Sequence, residues 1–191
     1  MNPNDTTILH HPNPEEKRPF DGEIRDLREE DVEQLKPIIA HWHIGNFKKD
    51  MEPEDYLEHV YAQLIESTKR DTGKRYFVAT DKEGKVIGVM GMTKPSGSLI
   101  MPFVTSENCT ELINAFVDPN TKLTGVGKSL LNKIEEEAIL SGAEEMIVSS
   151  GEIFKLKGWK FWTRNFGEPV HVYEDYWGVP NSDVVVWRKK I

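Results

Sequence analysis

The alternation of apolar and polar positions divides this chain into strands and helices, most clearly in its middle third. Residues 112–117, Leu-Ile-Asn-Ala-Phe-Val, are apolar at nearly every position, the pattern of a strand buried on both faces. Asp118-Pro119-Asn120 stops it, because proline cannot donate to a ladder and Asn and Asp favour turns. Val126, Leu130, Ile134 and Ala138 then recur at helical spacing, and Gly142 stands where a helix takes a left-handed terminal residue.

The flanks follow the same logic. Residues 23–27 begin a strand, and Arg28-Glu29-Glu30-Asp31 supplies acid for a helix whose face is Val32, Leu35, Ile38, Ile39 and Trp42, in spite of Pro37. Gly45 interrupts this pattern. Pro53 opens a second helix with Tyr56, Leu57, Val60, Leu64 and Ile65 on one face. Residues 75–80 and 85–93 read as a hairpin around Asp81-Lys82-Glu83-Gly84. Residues 94–108 carry Pro95, Gly97 and Pro102 and fit either more strand or a flap. A strand at 145–148 precedes a helix that looks truncated, and 161–173 and 183–188 read as the last two strands around a loop at 175–181. The order β-α-α-β-β-β-α-β-α-β-β predicts an α/β fold, a mixed-sheet sandwich.

The junction between the central strand and its helix suggests chemistry. Backbone N–H groups in a helix's first turn have no internal partners, and the helix dipole adds positive potential there. Glycines at 125 and 127 let anionic oxygens approach without meeting a Cβ. By itself the pair fits a tight turn equally well.

Composition narrows the classes. The 191 residues carry a formal charge of -8, which argues against nucleic acid as a general partner. The single cysteine, Cys109, excludes an internal disulfide framework and suits a reducing, cytoplasmic compartment. No apolar run is long enough to span a bilayer, and no cysteine cluster suggests a metal. Residues 1–21 are polar and rich in Pro and Asn, expected to be a flexible arm unless they dock on something, with 22–191 as one domain. The adjacent His10-His11 lacks further metal ligands.

The run Val117-x-Pro119-x-x-Lys122-x-x-Gly125-x-Gly127-Lys128-x-Leu130-Leu131 resembles the acetyl-CoA signature of the GNAT superfamily of acyl-CoA N-acyltransferases, with Lys122 at a position usually held by Arg or Gln. The resemblance extends loosely from about Ile24 to the C-terminus. It implies a mostly antiparallel central sheet with helices on both faces and two splayed parallel strands in the middle. It also implies acetyl-CoA as co-substrate without a metal, an amine acceptor of small-molecule or peptidic kind, and no membrane partner, and it is compatible with a homodimer. The peptides of Ala115, Phe116 and Val117 would hold the pantetheine arm. Lys122, Leu123, Thr124, Gly125, Val126, Gly127 and Lys128 would surround the pyrophosphate. Glu111, fourteen positions before Gly125 (125 − 111), stands where many members place a catalytic base. The helices before and after Gly45 would wall the acceptor side, bringing His41, Trp42, His43, Asp50 and Glu52 near it.

A second departure and two rivals accompany this reading. Phe154-Lys155-Leu156-Lys157-Gly158-Trp159 resembles the family's Tyr-x-x-x-Gly-Phe segment, but Phe154 has no proton to give a leaving thiolate. Tyr173, Tyr176 or water would replace it. The departure favours, as the alternative, a catalytically silent acyl-CoA-binding or regulatory module. Thr124-Gly125-Val126-Gly127-Lys128-Ser129 also looks like the end of a nucleoside triphosphatase phosphate loop. That pattern needs glycine where Lys122 stands and a strand running almost directly into the loop.

Overall fold

The apolar periods of the sequence fold into a seven-stranded sheet with helices packed on both faces. The structure is a computed structural model and describes residues 18–43, 53–178 and 180–191. In chain order the elements are β1 (Arg18–Pro19), β2 (Glu23–Asp26), α1 (Asp31–His43), α2 (Pro53–Lys69), β3 (Lys74–Thr80) and β4 (Val86–Thr93). They continue with β5 (Cys109–Val117), β6 (Leu123–Thr124), α3 (Val126–Leu140), β7 (Glu145–Gly151), α4 (Lys160–Phe166), β8 (His171–Tyr173) and β9 (Val184–Lys190). The sheet order is β2-β3-β4-β5-β7-β9-β8, with β5 and β7 parallel and every other pair antiparallel.

One face buries Phe77, Met90, Leu130, Ile134 and Trp187 beneath α3 and α4. The other buries Leu35, Ile39, Leu64, Val78, Val89 and Phe116 beneath α1 and α2. Side chains of this size stabilise the fold by about 1.5–3 kcal/mol each when fully withdrawn from water. Helix α1 starts where the sequence places it, because buried Asp31 accepts the Arg28 N–H at 2.8 Å and both guanidinium donors of Arg25 at 2.7 and 2.8 Å. The face expected of α2 is buried at Leu57, Val60 and Leu64. Its predicted member Tyr56 lies outside the described side chains, as do Gly45, Asp50 and Glu52 outside the described residues.

On the face beneath α1 and α2, Tyr76 lies across β4 in the space a side chain at 91 would fill. A Cβ added to Gly91 would stand 2.4 Å from the Tyr76 ring. Gly91→Ala is therefore expected to cost about 1–3 kcal/mol by overpacking. Urea unfolding of the two proteins measures it.

The structure corrects two expectations after β7. The helix there is not truncated: a 3₁₀ turn (Glu152–Phe154), a π turn (Lys155–Trp159) and α4 follow one another to Phe166. Gly158 thus lies within helical backbone, and the helix ends at Gly167, whose φ of 88° is the left-handed region open to glycine. For the same reason 161–173 is not one strand, and only His171–Tyr173 pairs with β9. The buried positions of α4, Trp162 and Phe166, recur at helical spacing.

At the other end, β1 pairs in parallel with β6, Arg18 opposite Leu123 and Pro19 opposite Thr124. Residues 18 and 19, expected in the flexible arm, are thus paired, and residues 1–17, with His10 and His11, lie outside the described residues.

Candidate functional site

The site is the place where two neighbouring parallel strands part. β5 and β7 pair from Cys109↔Glu145 to Leu112↔Val148, and β5 then runs on through 113–117 without β7 beside it. The cause is written at Asn114. Register against β4 slips between Val89↔Phe116 and Gly91↔Ile113, so β5 carries an extra residue there, and Asn114 takes φ of 49°. A bulge bends its strand and strengthens local twist, which turns the end of β5 away from β7. The Asn114 amide donates to the Tyr76 hydroxyl at 3.1 Å, which ties the bulge to the ring lying over Gly91.

Past the bulge, alternation decides which peptides are available. The Asp118 N–H donates to the Ile87 carbonyl on β4 at 2.8 Å. In an antiparallel ladder successive residues point their peptide groups to opposite sides, so Phe116 also faces β4 and Val117 faces the open edge. The Phe116 ring meanwhile packs beneath α1 and α2. Of the peptides expected to line this edge, Phe116 is thereby engaged elsewhere.

After 118–122 the chain reaches β6 and the glycine turn into α3. Gly125 has φ of 86°, and a Cβ there would meet nothing within 4 Å, so glycine is required by conformation and not by space. A Cβ on Gly127 would point at Phe161 (3.5 Å) and Val117 (3.8 Å), across the first turn of α3 toward the open strand end. Lys122 and Lys128 are exposed beside this turn, and Leu123 and Thr124 are held by β1. Val126 is buried in the core beneath α3.

On the α1 and α2 face, Glu111 is half-buried at the foot of the parting strands, opposite Thr93 on β4 and Ile147 on β7. The flap of residues 94–108 reaches it at Ser96. Ser96 N–H donates to Glu111 at 3.3 Å, Tyr173 hydroxyl donates to the Leu99 carbonyl at 3.3 Å, and Arg188 donates to the Phe103 carbonyl at 2.9 Å. Desolvation raises the Glu111 carboxyl above its ordinary value, and the Ser96 N–H and the Lys74 charge only partly oppose it. Tyr173 is thus linked to Glu111 through one short stretch of flap, whereas Tyr176 stands 36% exposed in the following turn, edge-on to Tyr173 at 5.4 Å.

Trp42, which helical spacing placed on the apolar face of α1, and its neighbour His43 reach into the site. The Trp42 indole donates to the Val117 carbonyl at 2.9 Å, and His43 packs on Phe116 and Phe154 at ring distances of 5.3 and 5.8 Å. Burial pushes the His43 imidazole down to about 4, so it is neutral near pH 7. Exposed His41 stands edge-on to Trp42, at a ring distance of 5.6 Å. The signal that could have found the bulge is Asn114 itself, a polar residue tolerant of left-handed backbone inside an apolar strand.

The site is thus an α/β sheet parted at a bulge and ending in a glycine turn at a helix N-terminus. The chain belongs to the Acetyltransferase (GNAT) family, whose pattern it matches over residues 37–167. That match closes at Gly167, where α4 ends. The fold is similar to the PaiA N-acetyltransferase from Thermoplasma acidophilum in complex with coenzyme A, at 20% identity and TM-score 0.64, covering 88% of this chain and 98% of that one. It is also similar to ribosomal-protein-alanine N-acetyltransferase from Brucella melitensis (21%, TM-score 0.63, 88% and 99% covered). A GCN5-related N-acetyltransferase from Kribbella flavida gives 15% and 0.67, with 88% and 97% covered. At these identities the likeness shows the fold alone. No curated protein matches the chain. The nucleoside triphosphatase reading is overturned, since 118–122 and β6 separate β5 from the glycine turn and the family is a different one. Among the described residues no helix is long and apolar enough to cross a membrane, and no group of three or more His, Cys, Asp or Glu could hold a metal.

Proposed function

We propose that the protein moves an acetyl group from acetyl-CoA directly to an amine of a small molecule or peptide. The observation that carries this is the free edge of β5 at Val117 running toward a glycine turn at the N-terminus of α3. The pantetheine arm is peptide-like, and an unpaired strand edge offers it the N–H and C=O partners of a missing strand. Ala115 and Val117 line that edge, and a free N–H there faces the thioester oxygen as charge develops on it. The first turn of α3, with Leu123 to Lys128 around it, accepts the pyrophosphate.

Chemistry follows from the flap side. Half-buried Glu111 takes the amine proton, directly or through water, as the C–N bond forms and the C–S bond breaks. The coenzyme A thiolate then takes a proton from water or from Tyr173, once that hydroxyl releases Leu99. Tyr176, edge-on to Tyr173 and more exposed, is the weaker donor by placement. The test is thiol release from acetyl-CoA over a panel of amines. Turnover with one of them supports the reading, and coenzyme A binding without any turnover would favour a silent acyl-CoA-binding module. Phe154 is the observation on that second side, because it fills the turn after β7 with a ring that cannot donate a proton.

Lys122 and Lys128 flank the glycine turn in water. Replacing either by Met is expected to weaken coenzyme A by up to ~1 kcal/mol, as for exposed charge pairs, and by less at high salt. Titrations at two ionic strengths check this, and a salt-independent loss would place the ammonium groups away from the phosphates.

A further inference from the structure

The bond between Trp42 and Val117 lies where the cofactor arm is to sit, and this inference rests on that reading of β5. Val117 turns its carbonyl away from β4, because its neighbour Asp118 donates to Ile87 on that strand. The carbonyl therefore points to the edge that β7 leaves after Leu112↔Val148. An arm seated on this edge needs that acceptor for an amide N–H of its own. The indole N–H of Trp42 already uses it at 2.9 Å.

The indole is also held from other sides. The Lys157 ammonium lies 5.2 Å from its ring centre, on the helical segment that follows β7. Phe154 lies 6.5 Å away and itself touches Phe116 at 6.3 Å. The rings thus bridge the end of β5 to the turn after β7, across the parting of the strands.

We propose that Trp42 is an internal competitor for the pantetheine seat. The indole and the cofactor arm exclude one another at the Val117 carbonyl, so coenzyme A binds only the fraction of molecules in which Trp42 has let go. Apparent affinity is then reduced by that fraction. Since Trp42 stands on the last turn of α1, which also carries His43 against Phe116, seating the cofactor displaces part of the wall on the Glu111 side of the sheet.

Trp42→Phe separates this from a packing role, because it keeps a ring between Lys157 and Phe154 and removes only the donor. A carbonyl-bound donor of this kind corresponds to about a tenfold factor in an equilibrium. Calorimetric titration with coenzyme A is therefore expected to show Trp42→Phe binding about fivefold to tenfold more tightly than the wild type. Coenzyme A should also shift the wild-type tryptophan emission, and that shift should be lost in the variant. Binding by the variant where the wild type shows none would support the proposal further. Equal or weaker affinity in the variant, with the wild type binding, overturns it and leaves the acetyl-CoA reading standing. A wild-type emission spectrum unmoved at saturating coenzyme A also overturns it, without reference to the variant. Absence of binding in both proteins overturns it together with the cofactor reading.

Discussion

Glu111→Gln is expected to lower turnover about 100-fold while leaving acetyl-CoA affinity unchanged. The size is that of general base catalysis by a positioned side chain. The substitution is mild for the fold, since the glutamine oxygen can still accept the Ser96 N–H that the carboxylate accepts now. It removes only the ability to take a proton. Burial raises the Glu111 carboxyl, and only the ionised form is a base, so the wild-type rate should rise with pH through an ionisation above the usual carboxylate range. The glutamine variant should lack that limb. The rival account has the amine lose its proton to bulk water, with Glu111 serving only to hold the flap through Ser96. A variant within a few-fold of wild type, with an unchanged pH profile, would establish the rival.

Gly127→Trp should abolish coenzyme A binding in a folded protein, and Gly127→Ala should not. The Cβ direction is the reason for both halves. An added methyl meets Phe161 and Val117 at 3.5 and 3.8 Å, ordinary contact distances. An indole in the same direction fills the gap between the first turn of α3 and the open end of β5 and presses on Phe161. Phosphate then cannot reach the backbone N–H groups of that turn. Circular dichroism establishes that the variant folds, and titration with coenzyme A gives the result. A folded Gly127→Trp protein with undiminished affinity would mean that the phosphates do not lie there.

Much of this layout was legible because it depends on local rules. The helix from Val126 follows from the spacing of Val126, Leu130, Ile134 and Ala138, all of which are buried. Its entry needs Gly125 in a left-handed conformation, and its exit uses Gly142, at φ of 83°. The hairpin between β3 and β4 turns where Asp81 accepts the N–H groups of Glu83 and Lys85. These choices are made by residues a few positions apart, so the order of letters already contains them. The region after β7 failed the same rules. Aromatic residues suit strands and buried helices alike, and the side on which Trp162 and Phe166 find a core is set by the sheet.

What the sequence by itself determined is the main strands and helices through the end of α3, without the short β1–β6 pair, and the type of junction at Gly125 and Gly127. The position of Glu111 relative to that junction was fixed with it. Tertiary structure decided what each of those residues faces. Alternation along β5 has meaning only once β4 occupies one of its edges, and that partner turns Val117 outward and Phe116 inward. Burial in the folded sheet raises the Glu111 carboxyl, and the Ser96 N–H brought to it from fifteen positions earlier only partly opposes that rise. Trp42 reaches Val117 from a helix seventy-five positions earlier in the chain (117 − 42), a pairing with no local signature. Contacts of that range are chosen by the packing of whole elements, and the helical period that marked Trp42 as apolar could not say which strand its indole would meet.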